Sequence, residues 1–132
     1  MKIQQRYFLG KEDKLKSRKV IQQLFEEGKQ ITVFPLKAIW MTGAPPSSLQ
    51  AAVSVSARHF KKAVDRNRIK RLIRESYRLQ KNELSSHLIQ KDKQLSVFFI
   101  FIGNELPHYQ LVSDACGKLL KKLILLTDEN NQ

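Results

Sequence analysis

The chain has 132 residues and a formal net charge of +12, from 24 Lys+Arg against 12 Asp+Glu. That excess, with a sequence pI of about 10.0, points to a polyanionic partner, and 42% hydrophobic residues suffice for one packed core and exclude wholesale disorder. The single cysteine excludes an internal disulfide. No apolar run approaches the ~20 residues of a membrane span, so a soluble, cytoplasmic protein is expected.

In chain order, residues 1–16 are basic and polar (Lys2, Arg6, Lys11, Lys14, Lys16) and read as a flexible segment. Ser17 can cap a helix with Ile21, Leu24 and Phe25 on its apolar face, and Gly28 stands at the C′ position. Ile31–Phe34 and Leu36–Met41 read as strands, with Pro35 at an edge or bend. Thr42–Ser48 is a turn by composition. Leu49–Ser56 is a further strand, in which Ala52, Ser54 and Ser56 alternate against Val53 and Val55.

A basic helix is expected from Asp65 to Gln80, with Asp65 at its positive N-terminal end. Asn82–Gln94 is ambiguous and reads as a frayed extension of it. Leu95–Ile102 is a near-continuous apolar run, as in a central strand covered on both faces. A last helix spans Tyr109 to Leu126, with Leu111, Val112, Ala115, Leu119, Leu123 and Leu126 inward, and residues 127–132 form a polar tail. Residues 17–126 thus predict one α+β domain, a sandwich of three helices on a roughly four-stranded, mostly antiparallel sheet.

The basic helix carries the functional signal. Ile69, Leu72, Ile73 and Ser76 fall at i, i+3, i+4 and i+7, while Asn67, Lys70, Arg71, Arg74 and Arg78 gather on the opposite side. Between Arg58 and Arg78 only Asp65 and Glu75 are acidic. Like charges at i, i+4, as in Lys70-Arg74-Arg78, destabilise a lone helix, and a polyanion relieves them. Guanidinium groups at fixed positions suit fixed phosphates. Phe25 and Tyr77 border polar faces and are candidates for ring contacts; Phe98, Phe99 and Phe101 read as core.

Catalytic chemistry is not indicated. His59, His87 and His108 lie apart, Glu26 and Glu27 are adjacent and diverge, and no phosphate-binding loop or nucleophile motif occurs. No catalytic residue and no metal site is expected, and Cys116 reads as a small buried residue.

The run Arg66-Asn67-Arg68-Ile69-Lys70-Arg71-Leu72-Ile73-Arg74-Glu75, preceded by Val53-Ser54-Val55-Ser56 and Ala63-Val64, resembles the signature of the bacterial ribonuclease P protein subunit. Lys14-Leu15-Lys16, Leu24-Phe25 and Gly28 fit the same pattern, over roughly residues 14–126. The resemblance implies an accessory protein of a ribozyme whose RNA subunit removes the 5′ leader of precursor tRNA. It implies that no cofactor is bound by the chain alone and that the complex uses Mg2+. It also implies a left-handed βαβ crossover, as in a ribosomal-protein second domain.

By position, Arg66, Asn67, Arg68, Lys70, Arg71 and Arg74 would meet the RNA subunit, and Ile21, Phe25, Ser54, Ser56 and Arg58 would line a leader cleft. Two departures stand out: Ile21 occupies an often aromatic position, and the loop 57–62 is about one residue longer than the commonest form. The implied partners are the RNA subunit and precursor tRNA, with no membrane and no obligatory protein partner. The alternatives weighed are another RNA-binding protein such as a ribosomal protein, a DNA-binding module, and a membrane-surface helix. The strand reading of Leu49–Ser56 leaves no helix–turn before the basic helix, which disfavours DNA, and the lack of Trp or Phe anchors disfavours the membrane.

Overall fold

The computed structural model describes residues 14–43 and 49–129. The basic positions Lys2, Arg6 and Lys11, most of the expected 42–48 turn and residues 130–132 lie outside them. Ser17 caps α1 (Arg18–Glu27), its side chain accepting from the Val20 N–H, and Gly28 ends the helix. β1 (Lys29–Val33) and β2 (Leu36–Thr42) form a hairpin around Phe34-Pro35. β3 (Leu49–Val55) leads into α2 (Ala63–Gln80), α3 (Asn82–Gln90), β4 (Leu95–Phe101) and α4 (Tyr109–Glu129).

The sheet order is β1-β2-β4-β3, with β2 antiparallel to β1 and β4 and with β3 parallel to β4. The expected mixed, mostly antiparallel sheet is therefore present, and α2 and α3 form the crossover between its parallel strands.

The two faces of the sheet are closed unequally. On one, Ala38 and Trp40 of β2, Val97, Phe99 and Phe101 of β4, and Ala51 and Val55 of β3 join Ile69, Ile73 and Tyr77 of α2 and the inner side of α4 in a single core. On the other, Ile39 packs with Leu24 of α1 and with Leu15, while Ala52, Phe98 and Ile100 stay half-buried around them. The strict alternation along β3 and β4 produces this split, since neighbouring side chains point to opposite faces.

The helices α2 and α4 are held together by more than apolar contact. The Gln80 side-chain amide donates to the Ser113 carbonyl at 3.1 Å and the Ser76 carbonyl at 3.2 Å. Cys116 lies in this interface, fully buried, and burial pushes its thiol up to about 12, so it is a packing residue and no nucleophile.

Four expectations are corrected. The ambiguous stretch after α2 is a separate helix, α3, fastened by buried Leu84 and Leu88, so there are four helices among the described residues. Leu111 is exposed, because the inward stripe of α4 starts one residue later at Val112. The last helix continues beyond Leu126: Thr127 is buried, with its hydroxyl donating to the Leu123 carbonyl at 2.8 Å. And Lys14 and Leu15, within the basic N-terminal segment, lie along the free edge of β3, where the Leu15 N–H donates to the Ala51 carbonyl at 2.9 Å.

Gly28 is needed for space rather than for a left-handed turn, since its φ is −68°. A Cβ there would stand 2.4 Å from the Leu24 carbonyl oxygen and 2.7 Å from Cγ2 of Ile39. Gly28→Ala should therefore push α1 off the sheet and cost about 1–3 kcal/mol, the scale of overpacking a core, read as a lowered denaturation midpoint.

Candidate nucleic-acid interface

The α2 helix is gripped along one side. Ile69, Ile73, Ser76 and Tyr77 are buried and Leu72 is half-buried, as the spacing predicts. Asn67, Arg68, Arg71 and Arg74 are exposed and Lys70 is half-exposed. Of these, Asn67, Arg71 and Arg74 line one open groove of about 400 Å³, together with Lys14, Glu75 and Arg78. A cationic groove with an amide donor at one end can take phosphates by charge-assisted hydrogen bonds.

Within the groove, Arg78 is engaged by Glu75, with Nη2 to Oε2 at 2.6 Å and Nε to Oε1 at 3.1 Å. The hydrogen bond from Arg78 holds the Glu75 carboxyl below its usual range. Arg68 is exposed beside the groove and does not line it.

Arg66 has a different job from its neighbours. Its Nη1 donates to the Phe60 carbonyl at 2.7 Å and to the Lys61 carbonyl at 2.9 Å, and the side chain is half-buried. Phe60 is buried with its ring 5.8 Å from that of Phe101. One guanidinium nitrogen thus folds the 57–62 loop onto the start of α2, leaving Arg58, His59, Lys61 and Lys62 exposed around it.

Of the residues expected in the second site, Ile21, Phe25 and Ser54 lie on the α1 face. Phe25 is 54% exposed and meets Phe98 edge-on, at 5.1 Å between centroids and 64° between planes. Ile21 is half-buried in the small cluster of Leu15, Leu24 and Ile39, so it supports α1 more than it offers surface. Ser54 pairs in register with Ile100 and shares this face, with β4 between it and α1. Ser56 and Arg58 follow the end of β3, where the Ser56 hydroxyl accepts from the Arg58 N–H at 3.1 Å. Tyr77 is corrected as a ring contact: it is 2% exposed and packs on Phe99 at 5.5 Å. Sequence reasoning missed two participants. Phe98 was taken for core with its neighbours, although alternation alone puts it opposite Phe99 and Val97. Lys14 enters the groove through a pairing with β3 that no local pattern announces.

Among the described residues no three His, Cys, Asp or Glu side chains converge as a metal site, and no helix is long and apolar enough to cross a membrane.

Replacing Arg66 by Gln should leave two loop carbonyls without a donor and cost about 1–3 kcal/mol of stability, as when a buried hydrogen-bonding group loses its partner. Arg68→Gln, at an exposed site, should stay within about 0.5 kcal/mol of wild type. Chemical denaturation of the two variants checks this ordering.

The chain matches the family model Ribonuclease P over residues 9–123. A ribonuclease P protein component from Porphyromonas gingivalis is 35% identical over 117 residues, covering 87% of this chain and 85% of its own. One from Chlorobaculum tepidum is 32% identical over 120 residues, covering 83% and 78%. Among solved structures, the RNase P protein of Staphylococcus aureus superposes with a TM-score of 0.68 at 18% identity, over 84% of this chain and 94% of that one. That of Thermotoga maritima gives 0.66 at 22% identity, over 83% and 96%. The last two show a shared fold; the family model and the relatives show more, and the chain belongs to the ribonuclease P protein component family, part of the endoribonuclease that processes the 5′ ends of tRNA.

Proposed function

We propose that the chain docks on the catalytic RNA subunit of ribonuclease P through the exposed side of α2, and holds the 5′ leader of precursor tRNA on the α1 face of the sheet. The RNA subunit carries out the hydrolysis, in the cytoplasm, and this chain contributes binding and positioning. The observation that carries the reading is the groove of Asn67, Arg71 and Arg74 on a helix whose other side is locked in the core. Rigid cations lose little conformational freedom on meeting a rigid phosphate array, so their attraction is kept as affinity. Lys70 and Arg68 flank the groove and add to its field, and Arg66 contributes by holding the loop that presents Arg58, Lys61 and Lys62.

The α1 face suits a single strand. The exposed ring of Phe25, set against Phe98, offers a surface on which an unpaired base can stack, and such stacking tolerates any sequence. Ser54, Ser56 and Arg58 supply polar contacts along the same side. Mg2+ belongs to the RNA in this scheme: the groove is lined mainly by cations, which repel a divalent ion.

The test is reconstitution with transcribed ribonuclease P RNA of Porphyromonas gingivalis, the source of a close relative. Protein alone should not cleave precursor tRNA at any Mg2+ concentration, and adding it to the RNA should restore cleavage at low Mg2+. Cleavage by repurified, RNA-free protein would overturn the accessory role. Arg71→Gln and Arg74→Gln should each weaken binding to the RNA and flatten the slope of log K against log[salt] by about 0.7–0.9.

Phe25→Ala should leave that binding unchanged but weaken precursor tRNA affinity by about tenfold, the lower end of what one base–aromatic stack is worth. Mature tRNA affinity should not move. Because Phe25 is more than half exposed, the variant should keep its melting temperature, and unaltered preference for precursor would remove Phe25 from the leader path.

A further inference from the structure

Beside the phosphate groove lies a second hollow of about 370 Å³, on the free edge of β3. Leu15, Ala51 and Tyr77 belong to its walls, and Lys14, Lys16 and Arg74 stand in it as cations. Lys14 and Arg74 line both the hollow and the groove, so the two openings are neighbours over a shared pair of charges. Lys16 lines the hollow alone. The size falls near the lower end of ligand clefts, which run from about 300 to 1,000 Å³. It is right for one nucleotide and too small for a duplex.

The wall and rim differ in chemistry. Ala51 is 8% exposed and Val53 half-buried, both on the α2 side of the sheet, so their apolar side chains form part of the floor, while Lys14 and Lys16 are exposed beside them. An apolar recess with ammonium and guanidinium groups at its mouth matches a base with its phosphate. RNA backbone lying in the α2 groove already carries its phosphates past Lys14 and Arg74.

We infer that this hollow is a nucleotide subsite: one unpaired nucleotide of the docked RNA turns its base in against Ala51 and Val53 while its phosphates rest on Lys14, Lys16 and Arg74. The inference rests on the docking of RNA along α2 proposed above, and it adds a contact made by the segment at residues 14–16. The floor offers apolar contact with no base-specific pattern, so the subsite accepts a nucleotide by shape and charge. It requires that the nucleotide be unpaired, and so favours RNA with a bulge or loop over a continuous duplex.

The experiment measures binding of the full-length chain to the Porphyromonas gingivalis ribonuclease P RNA across a salt series. Lys16→Gln should weaken binding about four- to fivefold at about 0.15 M salt and flatten the salt slope by about 0.7–0.9, the effect of one lost phosphate contact. Ala51→Leu fills the recess without touching charge, so it should weaken binding with the slope unchanged. Lys19→Gln, on exposed α1, is the control and should do neither. If Arg71→Gln loses affinity while Lys16→Gln keeps wild-type affinity and slope, the subsite is overturned and the docking reading stands. If Arg71→Gln also behaves as wild type, both fall. A folded Ala51→Leu protein with wild-type melting and wild-type affinity likewise overturns the inference. Should Ala51→Leu fail to fold, Lys16→Gln decides alone, since its exposed side chain leaves the fold unaffected.

Discussion

Everything functional in this molecule depends on the one-sided burial of α2. Three of its side chains, Ile69, Ile73 and Tyr77, are essentially removed from water, and each such burial is worth about 1.5–3 kcal/mol. Against this, the like-charge pairs Lys70–Arg74 and Arg74–Arg78 each cost only about 0.2–0.5 kcal/mol at helix spacing. The core wins by several-fold, and the helix tolerates a charge density that it could not carry in isolation. Glu75 eases the last pair by binding Arg78. The amide of Gln80, bridging to Ser113, fixes the end of the helix against α4, so the cations on the outer side keep their places.

The sheet divides the work. Its α2–α4 face is sealed and supplies stability, while its α1 face carries one short helix and leaves Phe98, Ile100 and Ala52 only half-covered. An apolar strip left open beside Phe25 would be a liability in a protein with no partner. Under the function proposed above, this strip would be the surface on which bases stack. The same alternation that places Phe99 in the core places Phe98 on this strip, so a single strand serves both faces.

How much of this was legible in the sequence follows from the range of the interactions. The buried stripe and the exposed cations of α2 are set by a 3.6-residue period, and both were read correctly from residues 66 to 78. Phe25 followed from its place on the short first helix. What escaped depends on contacts between distant segments or on direction in space. Helical spacing does not show that Arg66 also reaches back over the turn to the Phe60 and Lys61 carbonyls. Arg78 binds Glu75 three residues before it, a pairing that helical spacing permits but does not single out. Lys14 reaches the groove through a backbone bridge to Ala51, 37 positions away in sequence. The extra helix α3 is only nine residues long, and buried Leu84 and Leu88 separate it from a frayed end of α2.

Edge strand β3 is where the two working surfaces meet. Ala52 and Ser54 face the α1 side, and Ala51, Val53 and Val55 face α2. Beyond it lies only the short segment at Lys14 and Leu15, and strands are spaced by about 4.8 Å. On the docking proposed above, an RNA strand passing from the arginine groove to the leader side would cross this edge. That crossing is charged along its length, by Arg74 and Lys14 on one side, Lys16 on the edge, and Arg58 past the end of β3. Under the docking proposed above, these cations would link the two surfaces on one sheet, so that both could act on a single ribonucleoprotein without any motion between domains. The sheet beneath them would then set the angle between docked RNA and held leader, which is what a positioning subunit has to supply.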